Sequence, residues 1–136
     1  MKLFIISVAM LCSVSAMAQN STAVPAKVKS AFANSYTKAE KVKWQKEHGK
    51  FEVSFVNGAD KMSVVYNQDA TVEETETAIP ADKLPAIAKK YAEAKGKIKE
   101  TAIIVKADGS KVYEAEVNGK DLLFDMTGKF LKEVKD

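Results

Sequence analysis

The sequence predicts an α+β protein: a tandem repeat of one helix followed by a four-stranded antiparallel meander, the two meanders joining into one eight-stranded antiparallel sheet with both helices on one face. Three observations predict it. The chain repeats itself at an offset of about 60 residues, apolar and polar residues alternate with period two through most of each copy, and each copy opens with a short amphipathic segment of helical period. The offset places Val24-Pro25-Ala26 on Leu84-Pro85-Ala86 and His48-Gly49 on Asp108-Gly109. With small length differences it then places Phe51-Glu52 on Tyr113-Glu114, Asn57-Gly58 on Asn118-Gly119, and Val65-Tyr66-Asn67 on Leu123-Phe124-Asp125.

Before the repeats, Lys2 precedes an apolar run from Leu3 to Val14, followed by Ala16-Met17-Ala18. That is the pattern of a secretory signal peptide, with cleavage expected after Ala18. Lipidation at Cys12 is the weaker alternative, because bulky Leu11 precedes the cysteine. The run is too short to span a bilayer permanently, and no other stretch approaches the roughly 20 apolar residues required, so no stable membrane insertion is expected. The organisation is therefore a leader at 1–18, a first helix-plus-meander repeat at 19–78 and a second at 79–136, together one compact domain. Of 136 residues, 118 remain after cleavage, enough to bury a core without disulfides or metals. Cys12 is the chain's one cysteine, so the mature protein has no thiol.

In the first repeat, VPAKVKSAFANSY puts Val28, Ala31, Phe32 and Tyr36 on one helical stripe, with Pro25 at a first-turn position that requires no backbone N–H. His48-Gly49 then makes a hairpin turn that sets Trp44 opposite Val53 and Val42 opposite Phe55. A longer loop at Asn57 to Asp60 sets Phe55 opposite Met62, Val53 opposite Val64 and Phe51 opposite Tyr66. The final turn carries Ala70 where the second copy has Gly128.

In the second repeat, LPAIAKKYAEAK puts Leu84, Ile87, Ala88 and Tyr91 on one stripe, and Gly96 ends the helix. Asp108-Gly109 and Asn118-Gly119 have the composition of two-residue hairpin turns. Counting outward from the first pairs Tyr113 with Ile104 and Ala115 with Ala102. Counting from the second pairs Val117 with Lys120, Ala115 with Leu122 and Tyr113 with Phe124. Asp125 to Gly128 reads as a type I turn closed by a glycine bulge, which sets Phe124 opposite Phe130. Each sheet then has an apolar face for its helix to cover; two independently packed units is the alternative to one joined sheet.

Function is less legible. All 21 basic residues are lysines, against 18 acidic ones, for a net charge of +3. Arginine forks, which nucleic-acid readers use heavily, are missing, and no nucleic-acid partner is expected. His48, the single histidine, falls at a turn tip with no partner to orient it and no companion ligands, so it reads as a solvated turn residue. Trp44, Tyr66 and Tyr113 fall on the helix-covered face and read as core. Glu73, Glu74 and Glu76 read as a solvated strand end rather than a cation loop. Serine-nucleophile motifs, phosphate-cradling loops and paired cysteines are missing, and no enzyme, cofactor or metal site is expected.

The face away from the helices is the candidate site. Period-two parity gives it Lys43, Gln45, Glu52, Ser54 and Val65 from the first repeat, and Ile103, Val105, Val112, Glu114, Glu116 and Leu123 from the second. A mixture of apolar and charged groups on an uncovered sheet suits contact with a protein or peptide. Exposed sheet edges also make a homodimer an expectation. A carrier of a small ligand such as lipid, haem or a cation is the alternative, for which one turn histidine and no mature cysteine offer poor ligation.

The repeated elements LPA opening a helix, Trp followed by a hairpin, FEVSF and YEAEV each with NG, and LLFDMTGKFL resemble the PepSY-like, β-lactamase-inhibitor-protein-like exported proteins of Bacteroidota over roughly Val24 to Val134. That resemblance implies tandem helix-plus-sheet units with an open sheet face, a periplasmic location, and binding or inhibition of a protein such as a peptidase. No inhibitory contact residue carries over, because no matching loop motif is present.

Overall fold

The computed structural model describes residues 24–135, and the leader with Cys12 lies outside the described residues. Eight strands follow one another in sequence order through an eight-stranded antiparallel sheet, open at its two edges, with one α-helix opening each four-strand meander. Within the described residues the chain divides into two compact units, 24–76 and 77–135.

In the first unit, α1 (Ala26–Ser35) starts directly after Pro25, whose carbonyl accepts from the N–H groups of Val28 and Lys29 at 3.0 and 3.1 Å. Val28 and Phe32, one turn apart, are its buried residues. They close over β1 (Glu40–Glu47), β2 (Lys50–Asn57) and β3 (Asp60–Tyr66), while β4 (Val72–Ala78) completes the meander. The core is Val28, Phe32, Phe51, Val53, Phe55, Val64 and Tyr66, with Trp44, Tyr36 and Met62 packed against it. Phe32 meets Phe55 and Trp44 edge-on, at centroid distances of 4.9 and 5.5 Å, the geometry that the ring quadrupole favours.

Register in this unit follows the parity of the sequence. Trp44 stands opposite Val53, Phe55 opposite Met62, Val53 opposite Val64 and Phe51 opposite Tyr66. His48 and Gly49 both take positive φ, 50° and 75°, as a type I′ turn requires. The second connection is tighter than expected, since Asn57 already pairs with Asp60. Val42 is the departure. A bulge beside Lys41, at φ 53°, interrupts the ladder between Glu40 and Lys43, and Val42 is left exposed.

In the second unit, a 3₁₀ turn at Ala81–Lys83 leads into α2 (Ala86–Lys95). Ala88 and Ala92 are fully buried, and their small side chains let the helix lie close on β5 (Ile98–Lys106), β6 (Lys111–Val117), β7 (Lys120–Phe124) and β8 (Phe130–Lys135). Leu84, Ala115, Val117, Leu122 and Phe124 fill the core, and Tyr91 stacks on Phe130 at 4.5 Å. Ile87, placed on the buried stripe by sequence, is instead 59% exposed, because Leu84, Ala88, Tyr91 and Ala92 complete the contact stripe without it. Gly96 ends the helix at φ 156°, ψ −167°, a conformation nearly confined to glycine, and Asn118 Nδ2 donates to the Lys95 carbonyl at 3.1 Å.

One register differs from expectation. Ile103, not Ile104, stands opposite Tyr113, Ile104 stands opposite Val112, and Ala115 pairs with Thr101 rather than Ala102. The cause is the loop. Lys106 N–H donates to the Ser110 carbonyl and Gly109 N–H to the Lys106 carbonyl, which encloses three residues, Ala107 to Gly109, instead of two. One extra loop residue shifts the partner by one and turns every side chain of β5 to the other face.

The same hydrogen-bond pair recurs at Asp125–Lys129, as expected, and at Asn67–Thr71. The left-handed position is Gly109, Gly128 and Ala70, at φ 84°, 94° and 70°. An L-residue there costs roughly 1–2 kcal/mol relative to its right-handed basin. Ala70→Gly should therefore stabilise the protein by up to about 1 kcal/mol after glycine's greater unfolded-state freedom is deducted. Thermal melts of the two proteins check this; a lower Tm for the glycine variant would refute it.

Candidate binding face

Each unit buries one sheet face under its own helix and turns the other face away from it. In the first unit, Lys43 stands opposite Ser54 and Gln45 opposite Glu52, and Glu52 in turn stands opposite Val65. All five therefore share the face away from α1, where Glu52 is buried, Ser54 and Val65 are half-buried, and Lys43 and Gln45 are exposed.

The second unit carries a more distinctive surface. Ile104, Val112 and Leu123, between 3% and 9% exposed, form an apolar cluster separate from the helix-covered core, with Val134 packed against it. Carboxylates border that strip. Glu114 stands opposite Leu123, and Glu116 opposite Asp121; all three acids are buried. Lys99 Nζ donates to Glu116 Oε1 at 3.1 Å, reaching over from the irregular ladder between Ile98 and Glu100.

Of the second-repeat residues expected here, Val112, Glu114, Glu116 and Leu123 are brought together. Ile103 and Val105 are not: they stand opposite Tyr113 and Lys111 on the helix side. In their place the register brings Ala102, Ile104 and Glu100 to this face, with Asp121 and Val134. The run Ala102 to Val105 is apolar at every position, so its own pattern cannot say which residues face the helix. The usable signal was the likeness of Ala107-Asp108-Gly109-Ser110 to the bulged loop Met126-Thr127-Gly128-Lys129, where glycine also closes a three-residue loop.

Nothing here is arranged for bond-making. The His48 side chain is 83% exposed and touches only neighbouring Glu47, at 3.5 Å. Glu73 is engaged by Lys50 at 2.7 Å and by Asn67 at 3.2 Å, and these hydrogen bonds, led by that of Lys50, hold its carboxyl below the ordinary range. Among the described residues no group of three or more His, Cys, Asp or Glu side chains converges as a metal site, and no helix is long and apolar enough to cross a membrane. The arrangement is one of contact rather than catalysis.

A family described as "Putative beta-lactamase-inhibitor-like, PepSY-like" matches residues 13–72 and again 49–132. The chain belongs to this PepSY-like family. Solved structures share the fold of this PepSY-like chain. A "putative periplasmic" protein of Bacteroides eggerthii superposes with a TM-score of 0.72 at 19% identity, covering 81% of this chain and 87% of its own. A DUF2874 family protein of Bacteroides ovatus gives 0.67 at 18%, covering 80% and 85%. A BLIP-like protein of Bacteroides fragilis gives 0.59 at 19%, covering 79% and 82%. No curated protein matches the chain. At these identities the likeness is one of fold, and the PepSY-like protein's own residues must carry the functional argument.

Proposed function

We propose that this PepSY-like protein is an exported, non-enzymatic module that binds a protein or peptide in the periplasm, restraining an enzyme such as a peptidase, through the sheet face turned away from its helices. The observation that carries the proposal is the cluster of Ile104, Val112, Leu123 and Val134, bordered by Glu114, Glu116 and Asp121, on the face that α2 does not cover. A second apolar cluster on the far side of a sheet serves no helix, and an apolar centre with a charged border is the anatomy of a contact surface. The leader-like segment and the "putative periplasmic" relative support the location, and the inhibitor-like family description supports the role.

A photo-crosslinking residue placed at Lys132, opposite Leu123 in the ladder, should form adducts with the partner in cells. The same residue at Lys89 on α2 should not. Adducts at Lys89 equal to or exceeding those at Lys132 would reject the face.

A further inference from the structure

We propose that this face of the second unit, on the binding role just given, takes an extended peptide with a cationic side chain followed by apolar side chains at alternate positions: lysine or arginine first, apolar residues third and fifth. The pattern comes from the cross-strand rows. Glu100 stands directly opposite Glu116, and Glu116 opposite Asp121, so three carboxylates line up across β5, β6 and β7. The next row of the same face is Ala102, Glu114, Leu123 and Lys132, and the one after is Ile104 with Val112.

Like charges placed directly opposite one another destabilise a sheet, and this chain has lysines to spare. Lys99 at Glu116 and Lys132 beside Leu123 are the cations that the register and ion pairs put at these rows, against four carboxylates. The lysines of α2, Lys89, Lys90 and Lys95, lie on the helix instead. A chain of net positive charge thus shows an incoming peptide an acidic, apolar-centred face on one side and a basic helix on the other, and charge complementarity selects a cationic partner for the former.

Spacing supplies the rest. Successive rows on one sheet face lie about 7 Å apart, the distance between alternate side chains of an extended peptide. A peptide running along the strands with its cation over Glu100, Glu116 and Asp121 therefore sets its third side chain over Ala102 and Leu123 and its fifth over Ile104 and Val112. No metal cluster converges at the acids among the described residues, as suits a row spread to meet a side chain rather than an ion.

The test is methyl NMR of Ile104, Val112 and Leu123 in the purified protein, titrated with pentapeptides that carry valine and leucine at positions three and five and either lysine or glutamate at position one. The lysine peptide should bind at least about tenfold more tightly, with the gap closing in the Glu100→Gln, Asp121→Asn double variant and at high salt. Equal binding of both peptides with shifts at all three methyls would overturn the cationic pattern while leaving the face as a binding surface. No shift at these methyls with either peptide would overturn the proposed pattern outright, and adducts at Lys89 in the crosslinking experiment would then remove the binding role as well.

Discussion

Gly128→Ala should destabilise the protein by roughly 3 kcal/mol, lowering Tm by more than 10 °C. Two effects add. Gly128 takes φ 94°, where a Cβ is strained by its own backbone. A Cβ at that position would also stand 2.7 Å from both Pro85 Cβ and Ile87 Cγ1, and 3.4 Å from the Ala88 backbone nitrogen. The proline ring is rigid and begins α2, so relief requires the helix to move off the sheet, which would loosen the packing of Ala88 and Phe124. Ala70 occupies the corresponding turn of the first unit, so the two units should respond oppositely to their exchange: Gly128→Ala strongly destabilising, Ala70→Gly mildly stabilising. Denaturant melts of both variants check this, and an alanine at Gly128 that leaves the midpoint within error would remove the close approach of that loop to α2.

Tyr66→Phe should stabilise the protein by about 1 kcal/mol at neutral pH and by more above pH 10. Tyr66 is 1% exposed, and its hydroxyl has no hydrogen-bond partner among the described residues. A buried, unmatched hydroxyl costs about 1–3 kcal/mol of desolvation, while the ring still packs near Trp44, at 6.2 Å. Burial, with a smaller contribution from Tyr36 nearby, pushes the phenol from 10.0 up to about 12. Below pH 10 the phenol is protonated in both folded and unfolded chains and gives no pH dependence. Between 10 and 12 the unfolded chain loses this proton first, so stability falls as pH rises, by up to about 2 kcal/mol. Subtracting the phenylalanine variant's stability from the parent's across pH 8 to 12 isolates that slope from the lysines titrating in the same range. A difference that stays flat through pH 12 would mean the hydroxyl is solvated.

Much of this fold could be read without coordinates, because its signals are local. Asn118-Gly119 and His48-Gly49 need positive φ at both central positions, and such a turn fixes the partner of every residue in the hairpin. Phe51, Val53 and Phe55 alternate with Glu52 and Ser54, so the same hairpins also say which side is dry. The candidate face was half legible for the same reason: Val112, Glu114, Glu116 and Leu123 lie on strands whose alternation is clean and whose turn is unambiguous. Ile103 and Val105 were misplaced where both aids failed together, on an apolar strand led by an Asp-Gly pair that closes a three-residue loop. Ile87 was misplaced because a ten-residue helix has room on its contact stripe for only part of its apolar set.

The sequence by itself determined the duplication, the order of helix and strands, the hairpin turns and the helix-covered core, since each follows from chemistry within a few residues of the chain. Tertiary structure alone decided the side to which β5 turns, the opposition of Glu100, Glu116 and Asp121, and the approach of Pro85 and Ile87 to Gly128. These depend on how many residues a loop encloses and on how closely a helix settles over a sheet. Such quantities are set by the geometry of the packed chain rather than by the preferences of any one segment.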